Sequence, residues 1–282
     1  MNHTTAVKVR GHRFRRAVAI ALLGGALTAG ACAISPQQEA QIGADYSAQI
    51  NRELPIINDA SLNNYINQVG SQIASRGQRG IPYRFYIVNS NVVNAFAVPG
   101  GYVYLNRGLI ERFSNASELA GVLAHEISHV ELRHSVEQME KMQQANLGVG
   151  VLGILLGENA QGAAGQIAGA AVNVGGNLYF AGHSRAAENE ADANAVPLMV
   201  AAGYNPNGLT SMFRKLLAEE QSRPAGVAQW FSTHPLTQER INSTQATIDR
   251  VPASQRRNLT TDTNAFQSFK SRLRNYSPRP KD

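Results

Sequence analysis

Residues 124–130 read Ala-His-Glu-Ile-Ser-His-Val, with His125 and His129 four apart and Glu126 directly after the first. On a helix that spacing turns the two imidazoles only about 40° from one another, so both can aim one ring nitrogen at the same point. Glu126 lies about 100° round from His125, beside that point without filling it. Zinc favours nitrogen donors in a tetrahedral array, and a carboxylate next to an open position can take a proton from a metal-activated water. The spacing thus offers two ligands, His125 and His129, and one general base, Glu126. The competing possibility is an ordinary buried helix whose histidines are satisfied by neighbouring polar groups.

A third ligand must come from elsewhere. His134 lies nine residues after His125, about 180° round a continuous helix, so it cannot reach the same ion. It is expected on the helix surface or in a layer behind the ligands. The longer pattern with a mid-motif glycine and a third histidine is absent, since those places hold Leu132 and Ser135. Downstream, Glu188 and Asp192 are four apart and share a helix face, whereas Glu190 points about 200° away from Glu188. One carboxylate of such a pair can ligate while the other accepts the N–H of a ligating histidine and holds its tautomer. We assign Glu188 as ligand and Asp192 as that acceptor. The reverse assignment and a solvated acidic face are the alternatives, the latter weakened by Ala186, Ala187, Ala191 and Ala193, which permit close helix packing.

These residues need elements to hold them. Apolar positions recur at three and four over 37–53 and 59–76, so both segments are predicted helical, the second capped by Asp59. The β-branched and aromatic runs 83–89, 91–99 and 102–106 read as a strand followed by a hairpin turned at Gly100-Gly101. Asn115-x-x-Glu118 resembles a capping box and opens a helix predicted to continue to about residue 145. Further helices are expected at 184–203, with Pro197 marking a bend or junction, at 206–221 and at 234–251. The Gly/Ala-rich stretch 147–182 is read as a helical hairpin over the domain, too interrupted by Glu158 and Gln161 for a membrane span. No internal repeat is evident.

Composition sets the wider frame. With 282 residues and 43% hydrophobic content the chain can bury a genuine core. The net charge of +6 is concentrated at the ends: residues 1–31 and 251–282 carry +5 each, which leaves 32–250 at −4. No basic groove is implied in the body, so nucleic acid is not an expected partner. The first 31 residues join a cationic segment ending at Arg16 to about fifteen small and apolar residues, the pattern of a secretory signal. Cys32 is the sole cysteine and stands directly after Ala29-Gly30-Ala31. A lone cysteine at such a junction fits lipidation and a membrane tether, although Ala29 stands where leucine is commonest. Ordinary signal cleavage and an organelle presequence are the alternatives. Residues 32–251 are then one domain, and 252–282 a basic tail with one helical-looking piece at 265–275 and otherwise weakly ordered. Only about thirty residues follow Val251, so no tetratricopeptide-like extension is expected.

Four ordered motifs, His125-Glu-Ile-Ser-His-Val-Glu-Leu-Arg-His-Ser135, Ser184-Arg-Ala-Ala-Glu-Asn-Glu-Ala-Asp192, Asn94-Ala-Phe-Ala-Val-Pro-Gly-Gly101 with the strand after it, and Ser232-Thr-His-Pro-Leu-Thr-Gln-Glu-Arg-Ile241, resemble the HtpX-like zinc metallopeptidases, the family that includes the CAAX prenyl proteases. The likeness covers roughly residues 36–250 and is strongest to the soluble periplasmic BepA/LoiP-like lipoprotein branch. It implies an α+β, mostly helical gluzincin-type fold with an active-site helix, a small edge-strand hairpin sheet, one zinc held by His125, His129 and Glu188, and catalysis by Glu126. It also implies that Asn94, Ala95, Phe96 and Ala97 offer a substrate an edge strand, with core packing the plain alternative for Phe96. His234 resembles a histidine that approaches the metal and holds the enzyme latent; capping beside Pro235 is the alternative. His183 replaces the tyrosine usual before Ser-Arg and is either a spacer or a donor to the developing oxyanion. Arg185 is expected to pair with a carboxylate near the site, with a plain surface charge the alternative.

The function expected is zinc-dependent hydrolysis of unfolded or misassembled envelope polypeptides at the periplasmic face of the outer membrane, with Ser128 no nucleophile. The outer-membrane assignment comes from Ala33, which follows the cysteine where an inner-membrane retention signal would stand. A chaperone-like binding protein with a structural or latent zinc site is the rival.

Overall fold

The computed structural model describes residues 33–155 and 182–277. The signal segment, Cys32 with its expected lipid, and residues 156–181 of the expected helical hairpin lie outside them.

The chain starts on α1 (Pro36–Glu53), entered through a reciprocal cap in which the Ser35 side chain accepts from Gln38 N and the Gln38 side chain accepts from Ser35 N. Helix α2 (Ala60–Ala74) begins at Asp59, whose carboxylate accepts from Leu62 N, and buries Leu62, Ile66, Val69 and Ile73. That spacing of three and four lays one apolar stripe on the core.

Three short strands follow: β1 (Arg84–Val88), β2 (Ala95–Val98) and β3 (Tyr102–Asn106), in the order β1-β3-β2. Strands β2 and β3 form the expected hairpin, turned at Gly100 and Gly101 with φ of +79° and +92°, a region nearly closed to side chains with a Cβ. β1 instead pairs with β3 in parallel. The run 91–99 contributes only its last part as strand, because 91–94 form a loop. Strand β2 therefore sits at a sheet edge. Phe85, Ile87, Ala95, Val103 and Leu105 belong to the main helical core. On the opposite face Tyr86, Tyr104 and Phe96 stack across the three strands with centroids 4.9 Å apart, and α1 covers them through Ile50 and the Ser47–Tyr104 hydrogen bond.

After the short α3 (Arg107–Ile110) comes the central element, α4 (Ala116–Glu131), buried from Ala116 to Val130. Asn115 caps it by accepting from Glu118 N, while Glu118 reaches back to Ser114 N. The expected single helix to residue 145 is in fact two. Leu132 ends α4, Arg133 takes φ of +58°, and α5 (His134–Leu155) starts afresh.

Helix α6 (Arg185–Ala201) begins at the Ser184 cap and runs through Pro197 without ending there. With α7 (Asn207–Ser222), α2 and β2 it packs round α4. The α4–α7 crossing is very close: a Cβ on Gly121 would come within 2.8 Å of Leu209 Cα, and one on Gly208 within 2.2 Å of Ser117 O. A helix not anticipated, α8 (Pro224–Thr233), delivers the chain to His234, and α9 (Gln238–Arg250) replaces the later part of the 234–251 prediction.

The helical-looking piece of the tail is a helix, and its docking into the core was not anticipated. Residues 264–275 form α10 (Asn264–Asn275), with Phe266, Phe269 and Leu273 buried in the core, Phe269 stacked on Tyr65 at 4.6 Å and Arg272 bound to Asp59. Arg272 and Arg274 lie on its solvated face, Lys270 is buried and donates to Phe113 O, and the apolar stripe at three and four docks it. The fold is thus α+β and mostly helical, with one small sheet, as the motifs implied.

Candidate active site

Helix α4 carries His125 and His129 on one side, both rings buried, with their Nε2 atoms 3.0 Å apart. Helix α6 adds Glu188 from its first turn, Oε1 lying 3.2 Å from His129 Nε2 and Oε2 3.5 Å from His125 Nε2. His234, at the end of α8, places Nδ1 3.2 Å from Glu188 Oε1. One ligating atom from each of these four residues lies within 4.8 Å of the others.

The donor set fits a zinc ion. Bonds of 2.0–2.1 Å in a tetrahedron put neighbouring donors about 3.4 Å apart, close to the separations observed. Glu126 supports the same conclusion, since it is buried beside the cluster and its Oε1 has no hydrogen-bond partner; the nearest histidine nitrogen is His234 Nε2 at 3.5 Å. Burial, helped by repulsion from Glu188, raises the Glu126 pKa against the attraction of His234 and His125. A nearby dication would favour its ionised form.

The two histidines on α4 are driven apart electrostatically. Burial opposes charge on His125, but Asp192 and Glu188 outweigh it and push the ring up to about 9. For His129, burial and the neighbouring His183 push it well below its usual value. Since a metal takes both as neutral donors, loading the site would release a proton.

Asp192 stands one turn after Glu188, its Oδ1 2.9 Å from His125 Nδ1. The approach is oblique, so Nδ1 has no well-formed hydrogen bond. The carboxylate is gripped by Arg240, with Nε 2.6 Å from Oδ2 and Nη2 2.8 Å from Oδ1, and it accepts from Thr244 Oγ1 at 3.0 Å. Arg240 also pairs with Glu188 and lies over the Phe213 ring at 4.7 Å. Burial raises the pKa of Asp192, and Arg240 and His125 bring it below the usual value.

Arg240 was missed in the sequence, where an arginine in the first turn of an amphipathic helix looks like surface charge. For Arg185 the structure favours the surface-charge alternative. Arg185 is exposed at the first position of α6, where the helix dipole disfavours a cation and the side chain faces solvent. The arginine that meets the carboxylates is Arg240.

His183 stacks face to face on His129 with centroids 3.9 Å apart, and burial and the nearby His234 lower its pKa to about 3. Of the two places expected for His134, it takes the layer behind the ligands: it is buried, and its Nδ1 lies 2.9 Å from His129 Nδ1. The break after α4 brings it there, since the 180° separation holds only on a continuous helix. Ser128 donates to Ala124 O and receives Asn194 Nδ2, so its hydroxyl is occupied inside the core.

The edge strand reaches this cluster. Ala95 O lies 3.2 Å from His234 Nε2, and Thr233 Oγ1 donates to Asn94 Oδ1. Phe96 is packed in the aromatic stack, and Ala97 is half-buried on the core face.

Two helical histidines and a glutamate from a later helix, within a mostly helical α+β domain, define a metallopeptidase of the gluzincin type. More particularly, the chain belongs to peptidase family M48, whose pattern matches residues 59–248. It is similar to the beta-barrel assembly-enhancing protease of Escherichia coli K12, 34% identical over 219 residues, which cover 76% of this chain and 44% of that protein. The chain thus spans less than half of that relative's length. It also resembles the mitochondrial metalloendopeptidase OMA1 of Schizosaccharomyces pombe (29% over 213 residues, 75% of this chain and 59% of the relative) and the metalloprotease LoiP of Escherichia coli K12 (29% over 188 residues, 66% and 68%).

Proposed function

We propose that this protein is a zinc-dependent endopeptidase of the bacterial cell envelope that hydrolyses unfolded or misassembled envelope proteins. The observation that carries the proposal is the buried convergence of His125, His129 and Glu188 beside Glu126, whose Oε1 makes no hydrogen bond. The ion, held by those three side chains, would supply Lewis acidity to the scissile carbonyl and lower the pKa of an attacking water. Glu126 takes the water proton and returns it to the leaving amine. Asp192 backs His125, and Arg240 holds Asp192 and Glu188 in place. A substrate pairing its backbone with β2 would be read by extended shape more than by sequence, which suits unfolded chains.

The names of the similar proteins, one of them a barrel-assembly protease, favour an envelope quality-control role. No helix among the described residues is long and apolar enough to cross a membrane. The cationic-apolar leader and Cys32 support export and a lipid tether, with the domain on the periplasmic face of the outer membrane.

His234 favours a second reading, in which the site is latent. Its ring contacts Glu188 and stands on Ala95 O, the acceptor a substrate strand would use. The protein would then hold unfolded chains as a binding factor until His234 withdraws.

The test is Glu126→Gln. Wild type should bind one zinc per chain and cleave unfolded casein, with loss of cleavage on chelation. The variant should keep its zinc and lose about 10²–10⁴-fold in rate. Full turnover by Glu126→Gln, or wild type without stoichiometric metal, refutes the peptidase mechanism. Zinc retained by a wild type that binds casein without cutting it favours the latent reading.

A further inference from the structure

We infer that His134 is a positioning residue for His129, fixing which ring nitrogen of that histidine faces the metal. The inference rests on the proposed metal site and extends it. His129 Nε2 points into the cluster, 3.0 Å from His125 Nε2 and 3.2 Å from Glu188 Oε1. A ligating nitrogen must offer a lone pair, so the ring proton of neutral His129 belongs on Nδ1. That atom lies 2.9 Å from His134 Nδ1, both rings being buried, with centroids 5.0 Å apart and planes at 69°.

Two neutral imidazoles can share only one proton between facing Nδ1 atoms. His129 therefore donates and His134 accepts, which puts the His134 proton on Nε2. That nitrogen faces Glu190 Oε2 at 3.3 Å, an acceptor of the right kind. The series Glu190, His134, His129 thus sets both tautomers in turn. His125 is backed by a carboxylate directly, through Asp192, whereas His129 is backed by a second histidine. Glu190 is 66% exposed, so its share in the series is the smaller one.

The fold shows how His134 gets there. Arg133 adopts φ of +58° between α4 and α5, which folds His134 back toward the helix it has just left. Arg133 is held by Glu39 Oε2 at 2.9 Å and Ile34 O at 2.6 Å, both on the segment leading into and through the start of α1. His183, stacked on the face of His129, limits the ring from another side. Partners of metal-bound histidines that set tautomer and orientation commonly contribute 10- to 100-fold in affinity.

The experiment compares wild type, His134→Ala and His134→Asn, measuring zinc affinity by competition with a chromogenic chelator. The His129 Nδ1 proton is observed by NMR in zinc-loaded, ¹⁵N-histidine-labelled protein, and circular dichroism tracks folding. Asparagine places an amide oxygen near the position of Nδ1, so it can still accept. His134→Ala should bind zinc about 10- to 100-fold more weakly and lose the hydrogen-bonded Nδ1 proton signal. His134→Asn should recover most of both. Affinity within twofold of wild type in His134→Ala overturns the inference, and so does His134→Asn as weak as alanine, since that reveals a merely space-filling role. Both results leave the metal site standing. Wild type without stoichiometric zinc overturns the site and this inference together.

Discussion

Removing Arg240 tests the electrostatics that hold the site together. Asp192 and Glu188 are 2% and 0% exposed, and one guanidinium meets both. In Arg240→Met the stem is kept and the charge is lost, so two buried carboxylates keep their histidine neighbours but no permanent cation. Breaking a buried ion pair from one side costs about 3–5 kcal/mol. An independent route gives a similar figure, since unit charges 4 Å apart at an effective dielectric of 20 interact by about 4 kcal/mol. The orphaned carboxylate could instead take up a proton. Shifting its pKa from about 3.9 to 7 costs about 4 kcal/mol at roughly 1.4 kcal/mol per unit, so this escape is no cheaper. The metal-free variant should therefore unfold in urea with a stability about 3–5 kcal/mol below wild type. Arg240→Lys should fall between, because an ammonium supplies charge but cannot grip Asp192 with two parallel hydrogen bonds. Excess zinc should narrow the gap, since a dication among the same side chains replaces part of the missing charge and stabilises the folded state by mass action. A metal-free Arg240→Met within about 0.5 kcal/mol of wild type would refute the reasoning, as would a deficit that zinc leaves untouched.

Two further outcomes are expected. Phe266→Ala should destabilise the domain by about 3–5 kcal/mol, measured by denaturant unfolding, because Phe266 is fully buried; a surface-like effect below 0.5 kcal/mol would mean that α10 does not belong to the core. For Glu39, burial raises the carboxyl pKa, but hydrogen bonds from Arg79 and Arg133 outweigh it and leave it lowered. A depressed folded pKa gives stability that is fully present above the unfolded value near 4.3 and is lost as pH falls through the folded one. Glu39→Gln should therefore be about 1–3 kcal/mol less stable than wild type at pH 7, and the two should converge below pH 4 in urea titrations. Curves that stay parallel through that range would exclude the linkage.

The chain's local patterns were legible wherever one periodicity or one cap dominated. Asp59 and Asn115 announced helix starts, Gly100-Gly101 announced the hairpin, and the spacing of His125, Glu126 and His129 announced the chemistry. Helix α8 was not legible, because its few buried residues, Val227, Trp230 and Thr233, sit among small and polar ones and the apolar stripe is short. The tail's helical piece was legible, but its docking was not, because its basic residues hid three apolar positions that only a receiving surface on α2 makes meaningful.

The site divides in the same way. Which residues share a face of one helix follows from 3.6 residues per turn, so the pairing of His125 with His129 and of Glu188 with Asp192 was readable without coordinates. Which faces meet does not follow from any local period. Tertiary packing brings α6 against α4's histidines and α9 against α6, turns Arg240 inward between two carboxylates, and lets a single left-handed residue, Arg133, fold His134 onto His129. Local geometry repeats within a few residues and is encoded there. Contacts such as that of Arg240 with Asp192, 48 residues apart, depend on the whole core closing, and only the folded structure decides them.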